Sequence, residues 1–141
     1  MESIKIIVSR PNQNTHSEIV LPVREKNKKK ITAKNDNFTF VGTLTKAKDA
    51  DDSTTILFTG TGQLSNHKKN LVLYDGGWKK GDKHGKGVEN NYNRDSSSDK
   101  KYIGNFRNGY RAGQGKVYKL QNNELFYEGT FKNGRIAVSY T

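Results

Sequence analysis

The chain has 141 residues, enough for one domain of ordinary size but not for two independent cores. It carries 25 Lys and Arg against 14 Asp and Glu, a formal charge of +11, and only 31% of its residues are apolar. No apolar run is long enough for a membrane-spanning helix, and the first residues lack the hydrophobic segment of a signal peptide. Without cysteine, disulfides, thiolate metal sites and cysteine nucleophiles are excluded.

Composition also indicates the fold class and the compartment. Ala is scarce, whereas Gly, Asn, Thr and Tyr are plentiful, so we expect strands and turns and an all-β fold. We expect the protein in the cell interior, either cytoplasmic or in an assembly that includes a virus particle, because neither a signal peptide nor a spanning segment is visible.

The N-terminal segment, residues 1–39, differs from the rest because all 14 glycines lie further along the chain. Residues 4–8 and 18–23 are short runs rich in Ile and Val, which predict two extra strands. Pro22 cannot donate to a strand ladder, so the second strand is expected at a sheet edge, or to end there.

A charged connector is expected at residues 24–30, after those two strands. Two interpretations stay open for Lys28, Lys29 and Lys30: a solvated loop, or an electrostatic contact with a polyanion.

A degenerate repeat is predicted over residues 40–73. Phe40, Gly42 and Leu44 have the spacing of the later repeats, and Gly60 and Gly62 supply a later glycine pair. The insertion between the two halves contains Asp49, Asp51 and Asp52, which we interpret as an enlarged loop. A site for a hard cation such as Ca²⁺ is the alternative, although the Gly and distal Glu of an EF-hand are missing.

From residue 74 the sequence repeats itself in three segments, which we divide as 74–101, 102–126 and 127–141. They read YDGGWKKGDKHGKG, YIGNFRNGYRAGQG and YEGTFKNGRIAVSY. Counting the first Tyr as position 0, the first two segments share glycine at +2, +7, +11 and +13 and an aromatic residue at +4. The third keeps only +2, +4 and +7, and is interpreted as a truncated terminal cap.

This spacing predicts one β-hairpin per repeat. Positions 0, +2 and +4 share one face of a strand, so the aromatic residues form a stripe, with glycine leaving room for rings of the neighbouring hairpin. The +7 glycine follows Lys or Asn, a signal for a two-residue turn. The predicted repeat core is Tyr74, Gly76, Trp78, Gly81, Gly85, Gly87, Tyr102, Gly104, Phe106, Gly109, Gly113, Gly115, Tyr127, Gly129, Phe131 and Gly134.

The pattern resembles the MORN (membrane occupation and recognition nexus) repeat, whose core is Tyr-x-Gly-x-Trp/Phe followed by a turn glycine and a Gly-x-Gly pair. The resemblance covers residues 74–141 well and 40–73 poorly. It implies an elongated single antiparallel sheet of consecutive hairpins, without catalytic activity, that holds proteins together or at membranes. Such repeats occur in cellular organisms and in large DNA viruses.

Basic residues recur at +5, where Lys79, Arg107 and Lys132 are expected to face away from the aromatic stripe as a column. Successive members would stand about 10 Å apart, with two strands per repeat. The column either attracts an anionic surface or keeps a single-layer sheet from stacking on its neighbours. The candidate anion or partner surface comprises Lys79, Lys83, Lys86, Arg107, Arg111, Lys132, Arg135, Lys28, Lys29 and Lys30.

Catalysis has little support in the sequence. His16, His67 and His84 lie far apart in loop-like stretches and do not have the spacing of a shared metal site. We therefore expect no enzyme activity, no metal, no cofactor and no small-molecule substrate.

Three functions remain open. The first is a structural scaffold that docks on another protein in a cytoskeletal or virus-particle type of assembly, through exposed Tyr and Phe and through open end strands. The second is peripheral binding to anionic phospholipid membranes through the basic face. The third is nonspecific nucleic-acid binding, which the high isoelectric point permits although no recognition motif is present.

Overall fold

The computed structural model of the chain describes residues 2–12, 15–45, 54–92 and 99–137, which form twelve strands and no helix. The strands are β1 (Ser3–Asn12), β2 (Thr15–Asn27), β3 (Lys30–Lys34), β4 (Phe38–Leu44), β5 (Thr55–Leu57), β6 (Gly60–Asn66), β7 (Leu71–Lys79), β8 (Asp82–Asn91), β9 (Lys100–Arg107), β10 (Tyr110–Lys119), β11 (Leu125–Lys132) and β12 (Arg135–Ile136).

All twelve strands belong to one open sheet, in the order β12-β11-β10-β9-β8-β7-β6-β4-β3-β2-β1-β5. From β6 to β12 the strands follow one another in chain order, and each pairs antiparallel with the next. The predicted all-β sheet of consecutive hairpins is therefore confirmed. One pair departs from the expected pattern, because β5 runs parallel to β1.

The N-terminal segment joins the same sheet, with β3 pairing with β4 across the predicted boundary at residue 39. Residues 24–27 continue β2 instead of forming a connector, and the turn that follows occupies Lys28 and Lys29. Pro22 lies neither in an edge strand nor at a strand end, but where β2 changes partner from β1 to β3. Because each half of β2 pairs on one side there, a residue without an N–H is tolerated inside a long strand.

The hairpin of β1 and β2 folds over the face of the sheet that carries the aromatic rings, called here the inner face. Ile4 and Ile6 are fully buried in the same cluster as Phe58 and Trp78. The N–H of Ile7 donates to the carbonyl oxygen of Gly81 at 2.8 Å. The N-terminal segment therefore does two things: β2 and β3 extend the sheet, and β1 covers part of its inner face.

Eight aromatic rings form a continuous ladder along the inner face. Each neighbouring pair packs edge to face, with centroids 4.6 to 5.5 Å apart, the geometry that aromatic quadrupoles favour. In order the rings are Phe58, Phe40, Trp78, Tyr74, Phe106, Tyr102, Phe131 and Tyr127. The ladder runs from the N-terminal strands to the last hairpin, so one packed stripe joins all the repeats.

A row of glycines crosses seven neighbouring strands beneath this ladder. The row consists of Gly42, Gly62, Gly76, Gly87, Gly104, Gly115 and Gly129, each directly opposite the next. The sequence predicted that rings of the neighbouring hairpin fill the room they leave. In the structure it is filled by the first aromatic residue of the same repeat, which is Tyr in the three MORN-like segments and Phe40 at Gly42 and Gly62. Tyr102 lies against Gly115, where a Cβ would come within 2.4 Å of the ring. Its hydroxyl donates to the carbonyl oxygen of Asn105 at 2.8 Å.

The +11 glycines serve a different purpose from those at +13. Gly85 and Gly113 have φ angles of 76° and 67°, and a Cβ on Gly85 would meet no atom within 4 Å. They lie where the strand pairing of β8 and of β10 is irregular, and the backbone there takes a conformation that glycine adopts at low cost.

The hairpin turns have the predicted two-residue form. Both turn residues have positive φ, as in Asn108 at 51° and Gly109 at 87°. Each turn glycine also donates its N–H to a carbonyl oxygen that lies more than twenty residues earlier in the chain. Gly81 donates to Phe58, Gly109 to Lys83, and Gly134 to Arg111. This repeated bond fixes each hairpin relative to its predecessor.

Candidate functional site

The three +5 cations lie on the outer face, opposite the aromatic ladder. Lys79, Arg107 and Lys132 are exposed, and each follows a ring that is buried on the inner face. Arg135 is exposed directly across the strand pair from Lys132. The described carboxylates form no ion pair with any of these four side chains. The outer face therefore presents a column of positive charge.

Lys83 and Arg111 lie on the inner face, although the sequence analysis placed them with the outer cations. A two-residue turn pairs position +4 with position +9, so Lys83 is opposite Trp78 and Arg111 is opposite Phe106. Directly opposed residues share a face of the sheet. The two cations consequently stand over the tyrosine rings: Lys83 is 5.4 Å from the Tyr74 centroid, and the Arg111 guanidinium is 4.7 Å from that of Tyr102.

Glu89 bridges the two inner cations. Its Oε2 accepts a hydrogen bond from Lys83 Nζ at 2.7 Å, and its Oε1 accepts from Arg111 at 2.9 and 3.1 Å. Burial opposes ionisation of Glu89, but the two cations outweigh it and lower the pKa of the carboxyl group. Lys83 Nζ also donates to the carbonyl oxygen of Val8 at 3.0 Å, which ties β1 to the repeats.

This network forms one wall of a cleft of about 550 Å³ on the inner face. Leu71 and Leu73 line it with aliphatic surface, and Tyr92 and Tyr110 line it with aromatic surface. Lys83 and Arg111 are both occupied by Glu89. Burial, followed by the charges of Glu89 and Asp75, raises the pKa of the Tyr74 hydroxyl. The arrangement holds the cleft together and leaves no free nucleophile or base among these groups.

Residues 74–94, 102–118 and 127–138 match the MORN repeat family. The chain carries MORN repeats. Such repeats are generally non-enzymatic and are commonly involved in interactions with proteins or membranes. No curated protein matches the chain in sequence.

The MORN hairpins and the hairpin of β2 and β3 place their turns along one rim of the sheet. Lys29 accepts a hydrogen bond through its carbonyl oxygen from Leu44, and Leu44 is opposite Gly60, which is opposite Trp78 beside the first MORN turn. Lys28, Lys29 and Lys30 are all exposed. The lysines at residues 28–30 and the cations of the MORN turns are far apart in sequence, but they lie along the same rim of the sheet.

A shallow groove of about 300 Å³ opens on the outer face between the first two MORN repeats, and is called here the outer groove. It is lined by Lys86, Gly87, Val88, Ile103, Gly104 and Asn105. Lys86 is thus the one member of the predicted surface that borders it. Val88, Ile103 and Glu89 were missed by the sequence analysis, because none of them occupies a position that the MORN pattern repeats.

In the part of the chain that the structure describes, no three His, Asp or Glu side chains are grouped closely enough to hold a metal ion. No helix that would cross a membrane occurs among the described residues. Asp49, Asp51 and Asp52, the candidate cation ligands, lie outside the described residues, as do Val138 and Tyr140 of the predicted cap.

Proposed function

We propose that the chain is a non-enzymatic structural protein that binds another protein within a larger assembly, of the cytoskeletal or virus-particle type. One observation carries this proposal: the outer face of the MORN sheet is exposed, and its cations have no ion-pair partner among the described carboxylates. The inner face is used for packing by the aromatic ladder and by β1. An exposed face on a single-layer sheet is suited to a partner.

The docking residues in this proposal differ from those that the sequence suggested. The Tyr and Phe rings of the ladder are packed against one another, and most are buried, so they do not provide the contact surface. The outer face instead combines exposed cations with the aliphatic pair Val88 and Ile103. A mixed surface of this kind favours a protein, whose side chains supply both apolar and charged groups.

Anionic phospholipid is the second candidate partner. The observation that favours it is the shared rim, which adds Lys28, Lys29 and Lys30 to the cations of the MORN turns. Each Lys or Arg near an anionic bilayer contributes about 1 kcal/mol of attraction. Nucleic acid is the third candidate, and only the overall positive charge supports it.

Flotation with liposomes separates the first two candidates. The purified chain is mixed with phosphatidylserine-containing or neutral liposomes at physiological salt. The proposed function predicts that the chain stays at the bottom of the gradient with both. Flotation with the anionic liposomes alone, abolished in the triple variant Lys79→Glu, Arg107→Glu and Lys132→Glu, would replace the protein partner by the membrane.

A further inference from the structure

The outer groove is a specific feature of one strand pair and not a general property of the repeat. Val88 and Ile103 are directly opposed on β8 and β9, and Ile103 is 42% exposed. At the equivalent place on β10 and β11, Lys116 faces Glu128, and Gln114 donates a hydrogen bond to Thr130 Oγ1 at 2.7 Å. The second place is therefore polar, and the aliphatic groove occurs between the first two repeats.

The floor of the groove is flat. Gly87 and Gly104 are directly opposed next to the aliphatic pair, and a Cβ on either would point to the inner face against a tyrosine hydroxyl. On the outer side the pair presents only backbone. A planar ring can lie on such a floor, with Val88 and Ile103 against one edge, because glycine in a sheet accepts close packing by an aromatic side chain.

Lysines surround this apolar floor. Lys86 and Lys101 lie two residues before Val88 and Ile103 on the same strands, and Lys116 is directly opposite Ile103. Asp75 is opposite Val88 on the other side, where it accepts a hydrogen bond from Gln63. Three lysines thus meet two carboxylates, Asp75 and Glu128, the second of which is directly opposite Lys116. The rim of the groove therefore keeps a net positive charge, which attracts negative charge.

On the assumption of the protein-binding function above, we propose that the outer groove holds an aromatic side chain of an acidic segment of the partner protein. The ring lies on the glycine floor beside Val88 and Ile103, and Asp or Glu residues on either side of it meet the surrounding lysines. A desolvated aromatic anchor inside a charged rim is the usual arrangement of an interface hot spot. A phospholipid headgroup would use the lysines but has no planar aromatic ring to place in the groove.

The test uses two fluorescently labelled peptides and the full chain. One is an acidic peptide of Asp and Glu with a single central Phe, and the other has Ala in its place. By anisotropy, the Phe peptide is expected to bind about tenfold more tightly than the Ala peptide. Ile103→Ser should remove this difference. Lys116→Glu should weaken both peptides, and by more than Lys132→Glu, which makes the same charge change on the same face outside the groove.

Three results would overturn the proposal: equal affinity of the two peptides, an unchanged difference in Ile103→Ser and in the near-isosteric Val88→Thr, or no binding of either peptide. Circular dichroism confirms that each variant is folded, which is expected since the altered side chains reach the surface. The protein-binding function fails separately, if the chain floats with the anionic liposomes.

Discussion

At the scale of single residues, two sets of glycines that look alike in sequence have different physical roles. Gly115 is opposite Gly104 in the row beneath the ladder, and a Cβ there would meet the buried ring of Tyr102. A Cβ on Gly113 would make only ordinary contacts with the Asn105 side chain, at 3.8 Å or more, but the φ of Gly113 is 67°. The pattern +11 and +13 predicted that glycine is needed at both positions. It did not distinguish a steric from a conformational requirement. The irregular strand pairing at the +11 position, which gives the two glycines different roles, is not visible in the sequence.

This difference gives a prediction. Gly115→Ala is expected to lower the free energy of unfolding by about 2 to 3 kcal/mol, because the Tyr102 ring must move and lose its hydrogen bond. Gly113→Ala should cost about 1 kcal/mol, the price of a left-handed backbone for a residue with a Cβ. Urea unfolding followed by far-UV circular dichroism measures both.

Asparagine provides the matched control, since it tolerates left-handed φ better than alanine. Gly113→Asn should therefore recover stability relative to Gly113→Ala, whereas Gly115→Asn should be worse than Gly115→Ala. The same ranking at both positions would contradict the assignment of the two roles.

At the scale of elements, the hairpins were predictable because two-residue turns leave a local signature. The glycine after Lys80, Asn108 or Asn133 identified each turn, and the structure confirms the hairpins there. The position of the +9 cations follows from the same turns, since a two-residue turn pairs +4 with +9. Without this register, position along the chain alone grouped Lys83 and Arg111 with the outer cations, whereas both lie on the inner face.

The first MORN turn offers a test of turn chemistry. Lys80 has a φ of 49°, where the other two repeats have Asn, which tolerates this region better. Lys80→Asn is expected to raise the free energy of unfolding by about 0.5 to 1 kcal/mol. Lys79→Asn is the control, because it removes the same charge from the adjacent strand position without a change at positive φ. If the two variants were equally stabilised, charge and not backbone conformation would be the cause.

Contacts between elements far apart in the chain could not be predicted from a single sequence. Two strands were foreseen in the N-terminal segment, but their partners could not be, because β1 packs against residues more than fifty positions further along. Glu89 was missed for a related reason. The residue opposite the tyrosine is Glu89 in one repeat and Val117 in the next, so no repeated pattern marks it.

At the scale of the whole molecule, the two faces of the sheet have different roles. The inner face holds the ring ladder, the Glu89 network and β1, and the outer face carries cations beside one aliphatic groove. Alternation along the strands predicted this division for the aromatic residues and for Lys79, Arg107 and Lys132. The groove was not predictable, since it depends on which residues of β8 and β9 are opposed.

The central claim is that the outer face binds the partner. Because the chain has no cysteine, a single introduced thiol can carry a photoreactive crosslinker. Gln114→Cys places it on the outer face, and Lys69→Cys places it at the inner cleft; both native side chains are exposed. After illumination in an extract of the cells that make the protein, a discrete protein adduct is expected from Gln114→Cys and none from Lys69→Cys. An adduct from Lys69→Cys alone would show that the partner occupies the inner face, and would contradict the account.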